Sequence, residues 1–223
     1  MPAYSMLIFD WDGTLADSAA PMVAAMQDAI AALGLPPRSD QAIRELIGLG
    51  AVDGMRLLFP ELPVQEVLAL LMQHRQRSGG QAVNQAHDAP LFEGAHDALQ
   101  ALHREGYALA IATGKHRQGL ERSLGAHAYL RELLRASRCA DETLPKPDPL
   151  MLRELLDEAG LQPEQALMIG DTEYDVAMAR ALGMPALGVA CGVHEPGRLL
   201  RAGAGAVLAD VKSVPLYLAG QGR

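Results

Sequence analysis

Short apolar runs recur along the chain, and helix-forming segments fall between them. This alternation constrains the fold more than any other feature. Met6–Phe9, Ala108–Ala112, Ala166–Ile169 and Ala186–Ala190 read as strands, with weaker ones near Ala136 and at Ala206–Leu208. Runs this short, bounded by glycine and polar residues, have the composition of strands buried on both faces. Strands alternating with helices predict an α/β fold with a parallel, doubly wound sheet.

One interval breaks the rhythm. Between the first two strands, apolar residues recur only at helical spacing, as in Met22, Val23, Met26, Ile30 and Leu33. Further helices are expected from Ser39 or Asp40, over 52–58 and over 64–76, with a Gly48-Leu49-Gly50 break among them. The stretch 78–90, rich in Gly, Gln, Asn and Asp, reads as a connection, and 130–134 as an extension of a helical region. The expected organisation is a Rossmann-like core, 1–15 and 89–223, with an all-helical cap domain, 16–88, inserted after the first strand.

Nearly half of the residues are apolar but only 4% are aromatic, so the core must be aliphatic. The formal net charge of −8, with no basic block, argues against nucleic-acid partners. No run of 18 apolar residues exists and the N-terminus lacks a basic leader, so a cytoplasmic protein with no membrane partner is expected. The two cysteines, Cys139 and Cys191, lack metal-type spacing and are expected as free thiols. A monomer and a homodimer both fit this composition.

Polar residues begin where the strands end. The first strand runs into Asp10-Trp11-Asp12-Gly13-Thr14. In an open α/β sheet, ligands gather at the carboxyl ends of the strands. Two carboxylates two residues apart share a side of an extended chain, where their repulsion favours a cation or a shared proton. One can be a nucleophile and the other an acid/base. After the second strand, Thr113-Gly114 offers a hydroxyl and a glycine N–H to a phosphate oxygen. Lys146, flanked by Pro145 and Pro147, is one of only three lysines, with Lys115 and Lys212. After Ile169, Gly170-Asp171 leads to Asp175, and such hard oxygen donors suit Mg²⁺. Each site has a plainer use: aspartates and Thr113 as helix caps, Lys146 as a solvated loop lysine. All four together, in order at strand ends, favour the chemical reading.

This set of motifs resembles the haloacid dehalogenase superfamily, in its phosphatase branch with a helical cap between the first and second motifs. DWDGTLADS, ATGK, PKPDP and GDTEYD stand as the four motifs, and the wording around the last two is similar to phosphoglycolate phosphatase-type proteins. The resemblance implies Mg²⁺-dependent hydrolysis of a small phosphate ester. Asp10 would be the nucleophile and Asp12 the acid/base. Thr113, Gly114 and Lys146 would bind the phosphoryl group, with Lys115 a rival for the lysine's part. Mg²⁺ would be held by the Asp10 carboxylate, the Asp12 main-chain carbonyl and Asp171, supported by Asp175. The family often has asparagine where this chain has Gly114, so only a backbone role is expected there.

Neighbouring activities are separable. Asp12 is the second aspartate that the superfamily's dehalogenases lack. A phosphonatase would need a cap lysine, and no lysine precedes 115. Sugar phosphomutases of the β-phosphoglucomutase type typically carry Glu-Asp where Gly170-Asp171 stands, and remain the alternative. A catalytically silent binding protein on the same fold would be expected to lose a charged motif residue, and none is lost. The cap is expected to set substrate choice, with Gly48 in a loop facing the site and Arg44 and Arg56 as candidate partners for a second anionic group.

Overall fold

A computed structural model describes residues 4–221. Strand β1 (Met6–Phe9) is followed by α1 (Ala19–Leu33), α2 (Asp40–Arg44), α3 (Ala51–Leu58), α4 (Val64–Arg77), α5 (Gln81–His87) and α6 (Ala95–Arg104). Then come β2 (Ala108–Thr113), α7 (Arg117–Ala126), β3 (Leu134–Cys139) and α8 (Leu150–Ala159). The chain continues through β4 (Ala166–Gly170), α9 (Glu173–Ala181), β5 (Ala186–Val189), α10 (Pro196–Ala202), β6 (Ala206–Leu208) and α11 (Val214–Gln221).

The six strands form one sheet in the order β3-β2-β1-β4-β5-β6, and every pairing is parallel. Side chains alternate across it, as the strand period of two requires. Leu7, Phe9, Leu109, Ile111, Leu167 and Ile169 face α6, α7 and α11, whereas Met6, Ile8, Ala110, Ala112 and Met168 face α8, α9 and α10. The sheet is therefore covered on both faces, and this is why its central strands read as continuous apolar runs, whereas the edge strand β3, with Arg135, Ser137 and Arg138, does not. Leu7, Ile8 and Phe9 have no solvent exposure. Burying side chains of this size contributes about 1.5–3 kcal/mol each. The strand order reverses around β1, whose neighbours are β2 and β4. A parallel sheet opens a crevice at such a switch point, beyond the strands' carboxyl ends.

Helices α1 to α4 have a core of their own, built on Val23, Ile30, Ile43, Met55, Leu58, Phe59 and Val67. The chain enters and leaves this helical layer along adjacent paths. Asp17 N–H donates to Pro90 O and Phe92 N–H to Leu15 O, each at 2.9 Å.

Two local readings of the sequence need correction. The expected connection at 78–90 contains α5, whose packing against α1 and α7 outweighs its poor composition for a helix. The segment 130–134 is not helical throughout: a short 3₁₀ turn, Ala128–Leu130, ends it, and β3 starts at Leu134. Helices α10 and α11 were not anticipated. Cys139 and Cys191 are both free. No helix among the described residues is long and apolar enough to cross a membrane.

Candidate active site

Asp10 leaves the end of β1, Asp171 the end of β4, and Asp175 lies in the first turn of α9. Because β1 and β4 are paired neighbours, the switch point brings these carboxylates together. One oxygen from each lies within 4.8 Å of the others, and all three residues are buried. Three acidic groups out of water repel one another unless cations intervene. Lys146, itself with no exposure, supplies one, its Nζ standing 2.6 Å from Asp175 Oδ1 and 2.8 Å from Asp10 Oδ1. Even so, neither Asp10 oxygen accepts a well-aligned hydrogen bond.

The remaining oxygens are held more completely. Asp171 accepts from Thr14 Oγ1 at 2.8 Å and from Val193 N–H at 2.9 Å. Asp175 accepts from Thr172 Oγ1 at 2.7 Å, and Thr172 is the N-cap of α9. The helix cap is thus Thr172 rather than the aspartate expected, and the Asp175 carboxylate, which accepts from Thr172 N–H at 3.1 Å, serves both the helix start and the cluster. Glycines make room. A Cβ on Gly13 or Gly192 would come within 2.3 and 2.0 Å of Asp171 Oδ2, and one on Gly170 within 2.3 Å of Asp175 Cγ. Gly13 also has φ +80°, a backbone state that glycine adopts without steric cost.

Electrostatics follow from burial. Desolvation pushes the Asp10 carboxyl up to about 7, with Lys146 opposing the rise and Asp175 and Asp12 adding to it. Burial, then Asp10 and Asp175, hold Asp171 well above the ordinary carboxylate range. Burial would lower Lys146, but Asp10 and Asp175 reverse that and keep it charged. A divalent cation fits this cluster: the donors are hard oxygens, they converge, and the Asp10 oxygens are short of partners.

Asp12 is turned to a different lysine. Lys115 Nζ stands 2.6 and 2.9 Å from its two oxygens, and Ser18 Oγ donates to Oδ1 at 2.6 Å. The Asp12 side chain therefore lies outside the three-carboxylate cluster, consistent with the main-chain role expected of it toward a metal. The two buried lysines divide the work that the sequence left open: Lys146 serves Asp10, and Lys115 serves Asp12. Thr113 is buried at the end of β2, its Oγ1 accepting from Lys115 N–H at 3.2 Å.

The helical layer closes over this ground through the Gly48-Leu49-Gly50 break. A Cβ on Gly114 would lie 2.6 Å from Gly48 O, one on Gly50 2.5 Å from the Pro145 side chain, and one on Gly48 3.1 Å from Thr172. Three strand-end loops thus meet one backbone segment. The close approach of Gly48 gives a physical reason for glycine at 114. Beside the seam, Glu45 reaches the core. Its carbonyl accepts from Tyr174 Oη at 2.9 Å, its carboxylate pairs with Arg198, and His194 Nε2 stands 3.6 Å away. Arg198 also holds Glu173 at 2.7 Å. Nothing in the sequence singled out Glu45, Arg198 or His194, because their meeting depends on tertiary contact alone.

The two arginines proposed from sequence are not brought to the cluster. Arg56 is 62% exposed and pairs with Asp53 on its own helix. Arg44 is half-buried in the last turn of α2 and forms no ion pair among the described residues.

The model of the haloacid dehalogenase-like hydrolase family matches residues 7–189. The chain belongs to this family. Among its curated relatives, a phosphoglycolate phosphatase encoded on a plasmid of Cupriavidus necator is 31% identical over 98% of this chain and 94% of its own length. A Dickeya dadantii protein named "Probable phosphatase IndB" is 33% identical over 87% of this chain and 84% of its own. A hydrolase from Pseudomonas syringae, solved by crystallography, superposes with a TM-score of 0.81 at 26% identity, covering 97% of this chain and 98% of that one. The fold class and the family expected from the motifs are both borne out.

Proposed function

We propose that this hydrolase cleaves small phosphate monoesters with the help of Mg²⁺, through a phosphoryl group carried on Asp10. The observation that carries this reading is the Asp10 carboxylate itself: buried, 2.8 Å from Lys146, and short of hydrogen bonds at the sheet's switch point. A carboxylate so placed is desolvated and available as a nucleophile. An Asp10 oxygen attacks phosphorus, the ester P–O bond breaks, and Asp12 delivers a proton to the departing alkoxide. Asp12 then takes a proton from water, the water oxygen bonds to phosphorus, and the Asp10 O–P bond breaks to release phosphate. Lys115 and Ser18 fix the Asp12 carboxylate for both transfers, and Thr113, the Gly114 N–H and Lys146 bind the phosphoryl oxygens.

Asp10, the Asp12 carbonyl, Asp171 and Asp175 would hold the Mg²⁺. Bound there, its charge would lessen the repulsion between the carboxylate and an incoming phosphoryl group. Phosphoglycolate is the substrate that the relatives' names favour. A sugar phosphomutase of the β-phosphoglucomutase type is the less favoured reading. The glutamate expected at position 170 would collide with Asp175 in this backbone.

The test is release of inorganic phosphate from a panel of small esters, including phosphoglycolate and hexose 1-phosphates, with Mg²⁺ or with chelator. The expected outcome is release that depends on Mg²⁺ and ranks phosphoglycolate high. Isomerised sugar phosphate without net release would favour the mutase, and no reaction with any ester would refute the hydrolase assignment.

A further inference from the structure

The loop that follows β5 touches both the carboxylate cluster and the helical layer within four residues. Cys191 Sγ lies 3.6 Å from Gly13 O. A Cβ on Gly192 would stand 2.0 Å from Asp171 Oδ2, so the backbone of the loop packs directly on that carboxylate. Val193 N–H donates to the same oxygen at 2.9 Å. The next residue, His194, meets the other partner. Its side chain is wholly buried, and its Nε2 stands 3.6 Å from Glu45 Oε2 on the helical layer.

The core groups that Glu45 meets are tied to the cluster in the same way. Its main-chain carbonyl accepts from Tyr174 Oη at 2.9 Å, and Tyr174 lies in the chain between Asp171 and Asp175. Its carboxylate pairs with Arg198, which also holds Glu173 at 2.7 Å. Glu173 N–H in turn donates to His194 Nδ1 at 3.0 Å. Residues 173 and 174 and the loop 192–194 thus form one bonded unit, with the helical layer on one side of it and Asp171 on the other.

One contact in this unit is incomplete. An imidazole whose Nδ1 accepts a hydrogen bond carries its proton on Nε2. That buried N–H has no partner, and 3.6 Å is too long for a hydrogen bond to Glu45. A buried donor without an acceptor is costly, and an approach of less than about 1 Å would supply one. Loop and layer therefore gain by drawing together, and the place of the loop is set by Asp171. The hydrogen bonds to Asp171 come from neutral donors, Thr14 Oγ1 and Val193 N–H, whereas Lys146 stands against Asp10 and Asp175. A divalent cation would hold Asp171 against the repulsion of its neighbours, and the loop with it.

We propose that loop 192–194 couples docking of the helical layer to metal binding. His194 and Arg198 hold Glu45 best when Asp171 holds a divalent cation, and each event favours the other. His194 is a positioning residue that acts on Asp171 through the adjoining Val193. The inference rests on the metal-dependent reading above and adds to it a link between the metal and closure. Such coupling is reciprocal, so it can be measured from either end.

From the metal end, Mg²⁺ is titrated calorimetrically, without substrate, into wild-type protein, Glu45→Ala and Glu45→Gln. Glu45 is not one of the three converging carboxylates, so a role confined to packing leaves metal affinity unchanged. Coupling predicts a Kd about fivefold or more higher in Glu45→Ala. Glu45→Gln should recover part of the loss, because its amide oxygen still accepts from His194 and Arg198. Equal affinity in all three proteins overturns the proposal. Equal losses in the two variants do so as well, since they trace the effect to the missing charge alone. From the other end, hydrogen exchange at residues 46–50 of wild-type protein is followed with Mg²⁺ and with chelator. Slower exchange with Mg²⁺ supports the coupling, and unchanged exchange overturns it. Wild-type protein that binds no Mg²⁺ overturns the metal reading and the coupling together, whereas binding that Glu45→Ala leaves unchanged sinks the coupling alone.

Discussion

The helical layer meets the sheet in two places that differ in kind. At the Gly48-Leu49-Gly50 seam, backbone presses on backbone, Gly48 O against Gly114, and Glu45, Arg198 and Tyr174 bond one another, while the buried His194 Nε2 beside them has no hydrogen-bond partner. At a cleft of about 720 Å³ between α4, α5 and α7, the walls stand apart, and Arg75, Asn84 and Gln118 are among the residues that line it. A close-packed contact costs free energy to change. An open one leaves its polar groups to water. The two contacts therefore differ in what a substitution at each would disturb: packing at the seam, solvated polar groups at the cleft.

The seam can be broken most severely at Gly114. Gly114→Val places a Cβ where Gly48 O already stands at 2.6 Å, and overpacking of this kind costs about 1–3 kcal/mol. The expected result is a drop of about 10–100-fold in kcat/KM for every ester hydrolysed, since closure rather than recognition is damaged. A loss confined to one ester would mean that the seam takes part in recognition. A gentler change is Glu45→Gln, which keeps the shape but removes the charge that faces Arg198. Glu45 is partly exposed, so the expected loss is small, about two- to fivefold, and smaller again at high salt. A loss as large as that of Gly114→Val would mean that the ion pair, not the glycine contact, holds the layers together.

Much of this architecture is legible in the sequence, for identifiable reasons. The central strands are buried on both faces, so they survive as uninterrupted apolar runs such as Met6–Phe9 and Ala166–Ile169. The site residues follow those runs directly, so Asp10, Thr113 and Asp171 can be placed from the chain alone. Lys146 owes its legibility to rarity and to flanking prolines. What could not be read depends on long-range packing. Helix α5 lacks a strong apolar stripe, and the segment around it resembles a loop. Glu45 and Arg198 lie 153 positions apart and have ordinary surface compositions. Arg44 and Arg56 were chosen because they are cations near the Gly48 break. Helical phase turns Arg56 outward to Asp53 instead.

The most direct test of the central claim is where the phosphoryl group goes. Protein turning over phosphoglycolate is quenched in acid and digested, and the peptide containing Asp10 is analysed by mass spectrometry. Asp10→Asn serves as the control, with a turnover loss of about 10⁴-fold or more expected for a missing nucleophile. The expected result is a phosphoryl group on Asp10 that is absent from the variant. A phosphoryl group on another residue, or near-normal turnover by Asp10→Asn, would contradict the assignment of this carboxylate as the nucleophile.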